Sequence, residues 1–293
     1  MPSLHFTPIA LSKQGPYARL YDQTELPASD YSITNLWAWA EQFGLQWRWT
    51  ENLVWIRQTR PVPAYWAPIG NWNQVDWPEA MNGFSSGSIF FRVPEPLVAL
   101  WKERLSIPFE VHDARGQWDY VYTIEDLVQL KGNRFHKKKN LLARFLKSYR
   151  FSYERLNEAS LSKVRSMQEQ WCAWRDCGSS QSLAAENRAV QRVLERWNEL
   201  PGLLGGVLSV EDQLIAYTIA EPLTARMLAV HFEKAAPHVH GAYQAIQQMF
   251  LSRVDPEFLE VNREQDLDDE GLRQAKLSYH PCRFLKKYTV VLK

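Results

Sequence analysis

FLEVNREQDLDDEGLRQAKLSYHPCRFLKKY, residues Phe258 to Tyr288, is the stretch whose reading decides the fold. A short apolar run gives way to five polar residues, Asn262-Arg263-Glu264-Gln265-Asp266, and then to a compact amphipathic segment. A tight turn needs one or two such residues and commonly a glycine. Five in succession, with charges of both signs, read as one wall of a site where a strand hands over to a helix. Asp268, Asp269 and Glu270 open that helix with the charge its dipole favours. Arg273, Lys276 and His280, spaced three and four apart, form a cationic stripe that Arg263 extends. The stripe reads either as a clamp for a carboxylate, phosphate or lipid headgroup, or as pairing with Glu264 and Asp266 that holds the helix. Asn262, Glu264, Asp266, Arg273, Lys276 and Tyr279 are the candidate substrate contacts on this side.

Working outward, the second half opens with helical patterns at 161–176 and 183–200, stopped by Gly178 and Pro201-Gly202. Strand patterns follow at 203–210, 214–221 and 226–233, the first two joined by a tight Glu211-Asp212 turn. A helix over 241–254, a strand over 257–262, a helix over 269–279 and a strand over 282–292 complete the chain. The first half reads as a helix over 31–43, with Ser32 as cap and Gly44 as stop, then strands over 45–49, 53–58 and 64–69. Helices over 75–81 and 96–104 flank a strand over 88–93. Segments 109–112 and 118–123 would pair as a hairpin around Ala114-Arg115-Gly116. An internal echo links VYTIEDL (121–127) and SYRFSYERL (148–156) to VNREQDL (261–267) and SYHPCRFL (278–285). It suggests duplication, with a boundary near Asn157 and domains over 1–157 and 158–293.

The 293 residues, 45% hydrophobic and 23% charged, exclude a disordered chain and suit one large domain or two of ordinary size. No stretch approaches the roughly 20 apolar residues that a membrane span needs. The opening MPSLHFTPIALSK lacks the pattern of a secretory signal. Cys172, Cys177 and Cys282 have no metal spacing and are expected to be reduced, in a cytoplasmic protein. No metal is expected. Ten of the 13 tryptophans fall between Trp37 and Trp118, which favours an aromatic core over an apolar groove for a lipid.

Charge is uneven. Eight Lys and Arg and no acid lie between Leu127 and Tyr153, so a net charge of +1 leaves the rest of the chain at −7. A concentrated basic segment on an acidic body fits a polyanion. Leu141, Leu142, Phe145 and Leu146 can bury one helix face, which leaves Lys137, Lys138, Lys139 and Arg144 as candidate contacts to RNA phosphates. The alternative is a solvated basic helix.

Phe258 to Tyr288, together with YTIEDLVQLKGNRFHKKKN (122–140), VHFEKAAPHVHGAY (230–243) and, more weakly, SITNLWAW (32–39), resembles a bacterial family related to the C-terminal domain of phosphatidylglycerol lysyltransferases. The resemblance implies an α+β fold of two tandem GNAT-like domains, each a mixed, mostly antiparallel sheet flanked by helices. Fem-type peptidyl transferases, which take aminoacyl-tRNA, have such a pair. The helix, helix, three-strand, helix, strand, helix, strand order of the second half is the order that this fold implies. An acyl or aminoacyl transferase is expected, with aminoacyl-tRNA as donor and a lipid headgroup, peptide or small amine as acceptor. The relatives' membrane-spanning portion is not matched.

Glu233 ends the third strand of the second half, where a general base or a hook for an amine would stand, with Arg263 as its catalytic companion. The bland reading of Glu233 is an ion pair with Lys234 or Arg263. Acetyl-CoA-using relatives place a Gln/Arg-x-x-Gly-x-Gly/Ala loop at the next helix, so that backbone N–H groups cradle the pyrophosphate. Here His238, Gly241 and Tyr243 fill those positions, which argues against acetyl-CoA; no cofactor is expected. Gly241 and Tyr243 then become candidate substrate contacts. An acetyl-CoA-dependent N-acetyltransferase and a non-catalytic ligand-binding module are the rival functions.

Overall fold

The computed structural model describes residues 5–25, 28–200 and 202–293. Pro201, one of the expected helix stops, and residues 1–4 of the N-terminal stretch lie outside the described residues. The chain opens with β1 (Thr7–Pro8), α1 (Gln14–Tyr21), α2 (Ile33–Phe43), β2 (Gln46–Trp49), β3 (Leu53–Gln58) and β4 (Ala64–Gly70). Next are α3 (Trp77–Met81), β5 (Ile89–Pro94), α4 (Glu95–Arg104) and β6 (Phe109–Asp113). The middle holds β7 (Asp119–Thr123), α5 (Ile124–Gln129), α6 (His136–Ser148), β8 (Phe151–Arg155), α7 (Leu161–Arg175) and α8 (Gln181–Glu195). It continues through β9 (Leu204–Val210), β10 (Gln213–Thr224), β11 (Met227–Ala235) and α9 (Ala242–Leu251). The end holds β12 (Glu260–Asn262), α10 (Glu270–Leu277), β13 (Arg283–Leu285) and β14 (Lys287–Leu292).

Two compact units result: residues 1–119, 265–270 and 284–293 form one, and residues 120–264 and 271–283 the other. Each centres on a mixed seven-stranded sheet, ordered β1-β2-β3-β4-β5-β14-β6 and β13-β7-β12-β11-β10-β9-β8. The division does not fall at Asn157. Residues 120–156 belong with the second sheet, because β8 pairs antiparallel with β9 and β7 pairs antiparallel with β12. The expected hairpin is also corrected: β6 pairs with β14, and β7 lies in the other sheet. Gly116 misled the reading. A Cβ there would meet the Asp268 carboxylate at 2.3 Å, so the glycine serves a close approach of the 265–270 segment, not a two-strand turn. The internal echo likewise has another meaning, since its two strands, β7 and β12, lie side by side in one sheet.

In the first unit, Ser32 caps α2 by accepting from the Asn35 N–H at 3.0 Å, as expected. Trp47, Trp55, Trp66, Trp72, Trp77 and Trp101 are each at most 2% exposed, and Trp77 and Trp101 meet edge to face at 5.6 Å. The tryptophans therefore build the core. In the second unit, Glu211 and Asp212 both take positive φ (50° and 64°), the primed turn that matches strand twist between β9 and β10. The run Leu214–Ala220 is buried throughout, as a central strand covered on both faces requires.

One feature of the second sheet positions the site. β11 and β12 run parallel, but only Met227, Leu228 and Ala229 find partners, in Glu260, Val261 and Asn262. β12 then ends, while β11 continues to Ala235. Past Ala229 the two strands part at their carboxyl ends, the place where α/β sheets leave room for ligands.

Candidate functional site

Glu233 stands four residues beyond the last position of β11 that pairs with β12, opposite Thr218 of β10. Arg263, the first residue after β12, fills the gap. Its Nη2 donates to Glu233 Oε1 at 2.8 Å and its Nη1 to Gln247 Oε1 of α9 at 2.8 Å. The two charged side chains are only 7% and 17% exposed. Burial pushes the Glu233 carboxyl above its ordinary value, against the pull of Arg263, Lys234 and Lys276. Tyr279 packs beneath, its ring centroid 5.2 Å from the Arg263 guanidinium, and its hydroxyl accepts from Gln244 Nε2 at 3.0 Å. Burial also raises the Tyr279 phenol, so it keeps its proton. Lys138 of α6 places its ammonium 4.2 Å from the same ring. Burial and then the Arg263 charge lower its pKa.

Beside this cluster lies a second, more enclosed one. His231, two residues before Glu233 on β11, is held between two carboxylates: Glu264 Oε1 is 2.7 Å from Nδ1, and Glu221 Oε1 is 2.8 Å from Nε2. Burial works against its charge, but the two hydrogen bonds and the two carboxylate charges carry its pKa up to about 10. The imidazolium is therefore the resident form. Glu264 reaches it from a left-handed backbone, φ 58°, while its N–H donates to Asn262 Oδ1 at 2.8 Å. Asn262, expected to touch substrate, is fully buried and turns the chain between Arg263 and Glu264. On the other flank, Lys234 donates to Glu186 at 2.6 Å and lies 4.1 Å from the Trp171 ring, whose Nε1 donates to the Tyr243 hydroxyl at 3.3 Å.

The structure thus brings together Glu233, Arg263, Tyr279 and Lys138, with Lys276 close by: its ammonium donates to the Arg263 carbonyl at 2.5 Å. Lys276 supports the site's backbone. Arg273, one turn earlier on α10, is half-buried, and the cations that act on Glu233 are Arg263, Lys234 and Lys276. His280 leaves the expected stripe, lying edge-on to Phe135 at 5.4 Å with Nε2 3.2 Å from the Arg134 carbonyl. Asp266 is corrected too. It belongs to the first unit, buried, with Arg115 Nη1 at 3.3 Å. Gly241 carries a positive φ of 84°, and a Cβ there would meet the Leu141 carbonyl of α6 at 2.4 Å. Its role is close packing of α9 on α6.

Of the basic run, Lys137, Lys139 and Arg144 are exposed on α6, whereas Lys138 turns inward to Tyr279. Leu142 and Phe145 are the buried pair; Leu141 and Leu146, expected with them, are 38% and 46% exposed. The cysteines also differ from expectation: Cys172 and Cys177 are disulfide-bonded, brought together by a left-handed turn at Asp176, and Cys282 is free. Sequence reasoning missed His231, Glu221, Gln244 and Gln247. Little signal was available, because His231 and Glu233 at alternate positions of β11 are also what a strand with one polar face shows. Two cavities, one beside Arg165 and Glu199 and one beside Gln170 and Asp212, include none of these residues. Among the described residues no cluster fits a metal ion, and no helix is long and apolar enough to cross a membrane.

The family described as "Phosphatidylglycerol lysyltransferase, C-terminal" matches residues 21–291. A conserved protein of unknown function from Bacteroides thetaiotaomicron is similar over 99% of this chain and 100% of its own, at 28% identity and a TM-score of 0.90. The C-terminal domain of a putative lysylphosphatidylglycerol synthetase from Agrobacterium fabrum shares the fold at 12% identity (TM-score 0.63, covering 96% and 92% of the two chains). FemX shares it at 8% identity (TM-score 0.61, 99% and 97%). The fold is the expected tandem GNAT-like arrangement, two mixed sheets flanked by helices. No curated protein sequence matches this chain.

Proposed function

We propose that this chain, which belongs to the phosphatidylglycerol lysyltransferase C-terminal family, is an aminoacyltransferase whose chemistry is centred on Glu233 and Arg263. One observation carries the reading. A carboxylate with a raised pKa is held 2.8 Å from a buried guanidinium where two parallel strands part. A carboxylate moved toward neutrality is a better general base than one left at its ordinary value.

The donor is aminoacyl-tRNA and the acceptor an amine or hydroxyl of a lipid headgroup, peptide or small molecule. The acceptor's nitrogen or oxygen attacks the ester carbonyl, and Glu233 takes the proton that the nucleophile sheds. The ester C–O bond then breaks, and the ribose oxygen leaves carrying that proton. Arg263 anchors Glu233 and offsets the negative charge that gathers on the carbonyl oxygen. Exposed Lys137, Lys139 and Arg144 hold RNA phosphates, contacts that give affinity without reading sequence. The reaction takes place in the cytoplasm, where aminoacyl-tRNA is made. Acetyl-CoA is not the donor: Gly241 is pressed onto α6, and bulky Tyr243 stands at the helix start that would cradle a pyrophosphate.

The test is transfer from a pool of radiolabelled aminoacyl-tRNAs to candidate lipids, peptides and amines, beside a titration with acetyl-CoA. Labelled product from the wild type, at least a hundredfold less from Glu233→Gln, and no saturable acetyl-CoA binding are expected. Micromolar acetyl-CoA affinity, or undiminished transfer by Glu233→Gln, would overturn the reading.

A further inference from the structure

Two polar groups at the site remain without acceptors among the described residues. The Lys138 ammonium has three N–H donors and, among those residues, neither a carboxylate nor a hydrogen-bond acceptor. The Tyr279 hydroxyl receives the Gln244 amide at 3.0 Å and interacts with Arg263, so its oxygen is occupied while its own proton, retained because burial raises the phenol, has no partner among the described residues. Both donors belong to one ring and its immediate surroundings: the ammonium is 4.2 Å and the guanidinium 5.2 Å from the Tyr279 centroid. Unpaired donors in a partly buried place cost free energy, and their persistence points to a ligand that pairs them.

Charge identifies the class of ligand. Lys138 and Arg263 are close enough for one to lower the other's pKa, and Glu233 is the carboxylate that faces Arg263. A ligand carrying one charge and two oxygens would satisfy the ammonium or the phenol, but leave little for the guanidinium's remaining N–H groups. A phosphate monoester, with up to two charges and three free oxygens, can accept from all three.

We propose that Lys138, Tyr279 and Arg263 form a subsite for a phosphate monoester of the substrate. The location rests on the transferase reading, since it lies against Glu233; the binding itself does not require turnover. Lys138 is then a substrate-holding residue and does not belong to the RNA-facing row of Lys137, Lys139 and Arg144, although all four lie within one short stretch of α6. The surrounding groups suit selection for charge over shape: the amide of Gln244 fixes the phenol, and Arg263 is fixed by Glu233 and Gln247.

The experiment is calorimetric titration of the full-length protein with inorganic phosphate, glycerol 3-phosphate, adenosine 5′-monophosphate and acetate. Saturable binding of the phosphates is expected, at least tenfold tighter than acetate. Lys138→Met should weaken it at least tenfold, Tyr279→Phe severalfold, and the exposed control Lys102→Met of α4 should leave it unchanged. Tighter glycerol 3-phosphate than nucleotide would identify a small polyol phosphate as the source of the monoester, and the reverse order a nucleotide; either supports the subsite. Carbon-13-labelled lysine gives a readout independent of any variant, because the Lys138 side-chain resonance should move on phosphate addition while that of Lys102 stays. Absence of saturable phosphate binding, acetate bound as tightly, an unmoved Lys138 resonance or undiminished binding by Lys138→Met would overturn the subsite. Phosphate binding with no aminoacyl transfer would overturn the transferase reading alone, and transfer with no phosphate binding the subsite alone.

Discussion

Raising the pH should unlatch the His231 network before it touches the rest of the second unit. His231 has a folded-state pKa near 10 and an ordinary value of 6.5. Its raised value means that the stabilisation it confers is fully present below pH 6.5 and is lost as the pH climbs through 10. Within that window, stability should fall by up to about 1.4 kcal/mol per pH unit, and by at most about 5 kcal/mol in total. The figure agrees with the roughly 3–5 kcal/mol expected when one partner is removed from a buried charged group. The buried tyrosines do not confuse the window: raised phenol values such as those of Tyr31 and Tyr217 cost stability only above about pH 10. The assay is urea denaturation of wild type and His231→Gln at intervals from pH 6 to 10. The variant should be less stable at pH 6, and the gap should narrow to about 0.4 kcal/mol by pH 10, where the imidazolium is half titrated. A constant gap across the window would refute the imidazolium, as would direct titration of His231 near 6.5.

Two more expectations follow from named contacts. Replacing Lys137, Lys139 and Arg144 by Glu should weaken tRNA binding and flatten the log–log salt dependence by about 0.9 for each phosphate that is no longer neutralised; filter binding across salt concentrations checks it, and an unchanged slope would make the row a solvated face. Gly241→Ala should destabilise by about 2–4 kcal/mol, because a left-handed residue gains a Cβ that must push the Leu141 carbonyl from 2.4 Å. A thermal melt within a degree or so of wild type would show that α9 can slide on α6.

Much of the fold was legible because the periodicity is strong. β3 was anticipated residue for residue, and α2, α4, α7, β9 and β11 to within two residues at each end, since their apolar patterns and caps agree. What failed was pairing. β6 and β7 look like a hairpin because a glycine separates two strand patterns at short range, and nothing local reveals that each finds its partner more than 130 residues away. Residues 282–292 read as one strand but split at Lys286, so that β13 and β14 serve different sheets. The ion pair of Glu233 with Arg263, the bland reading of that glutamate, was legible because charges at strand ends are conspicuous. Lys138 was misread because three consecutive lysines look alike in sequence, whereas a helix points successive residues about 100° apart, so that Lys138 shares its face with buried Leu142 and Phe145. Asp266 was misread because proximity along the chain to Arg263 conceals that the two belong to different units.

The first unit shows why the cluster around Glu233 is the one to read as a site. It too buries charges: Lys287 donates to Asp119 at 2.6 Å and also to Asp30, and Arg92 lies 3.2 Å from Asp30 and 3.9 Å above the Trp66 ring. Gln265 adds its amide to Asp119 at 2.6 Å and to Ser29 at 3.0 Å. Two carboxylates there meet two cations, Lys287 and Asp119 are wholly buried, and the aromatic core closes over the group. Such a network is complete without a ligand, and its removal would threaten the fold. In the second unit, Lys138 and Arg263 share the Tyr279 ring, Arg263 alone of the two is paired with a carboxylate among the described residues, Glu233, and that carboxylate is held above its ordinary pKa. Complete pairing fixes a fold; pairing left short by an anion, where two parallel strands separate, leaves a place for a substrate. The asymmetry between two units of the same general build supports seating the proposed chemistry in the second.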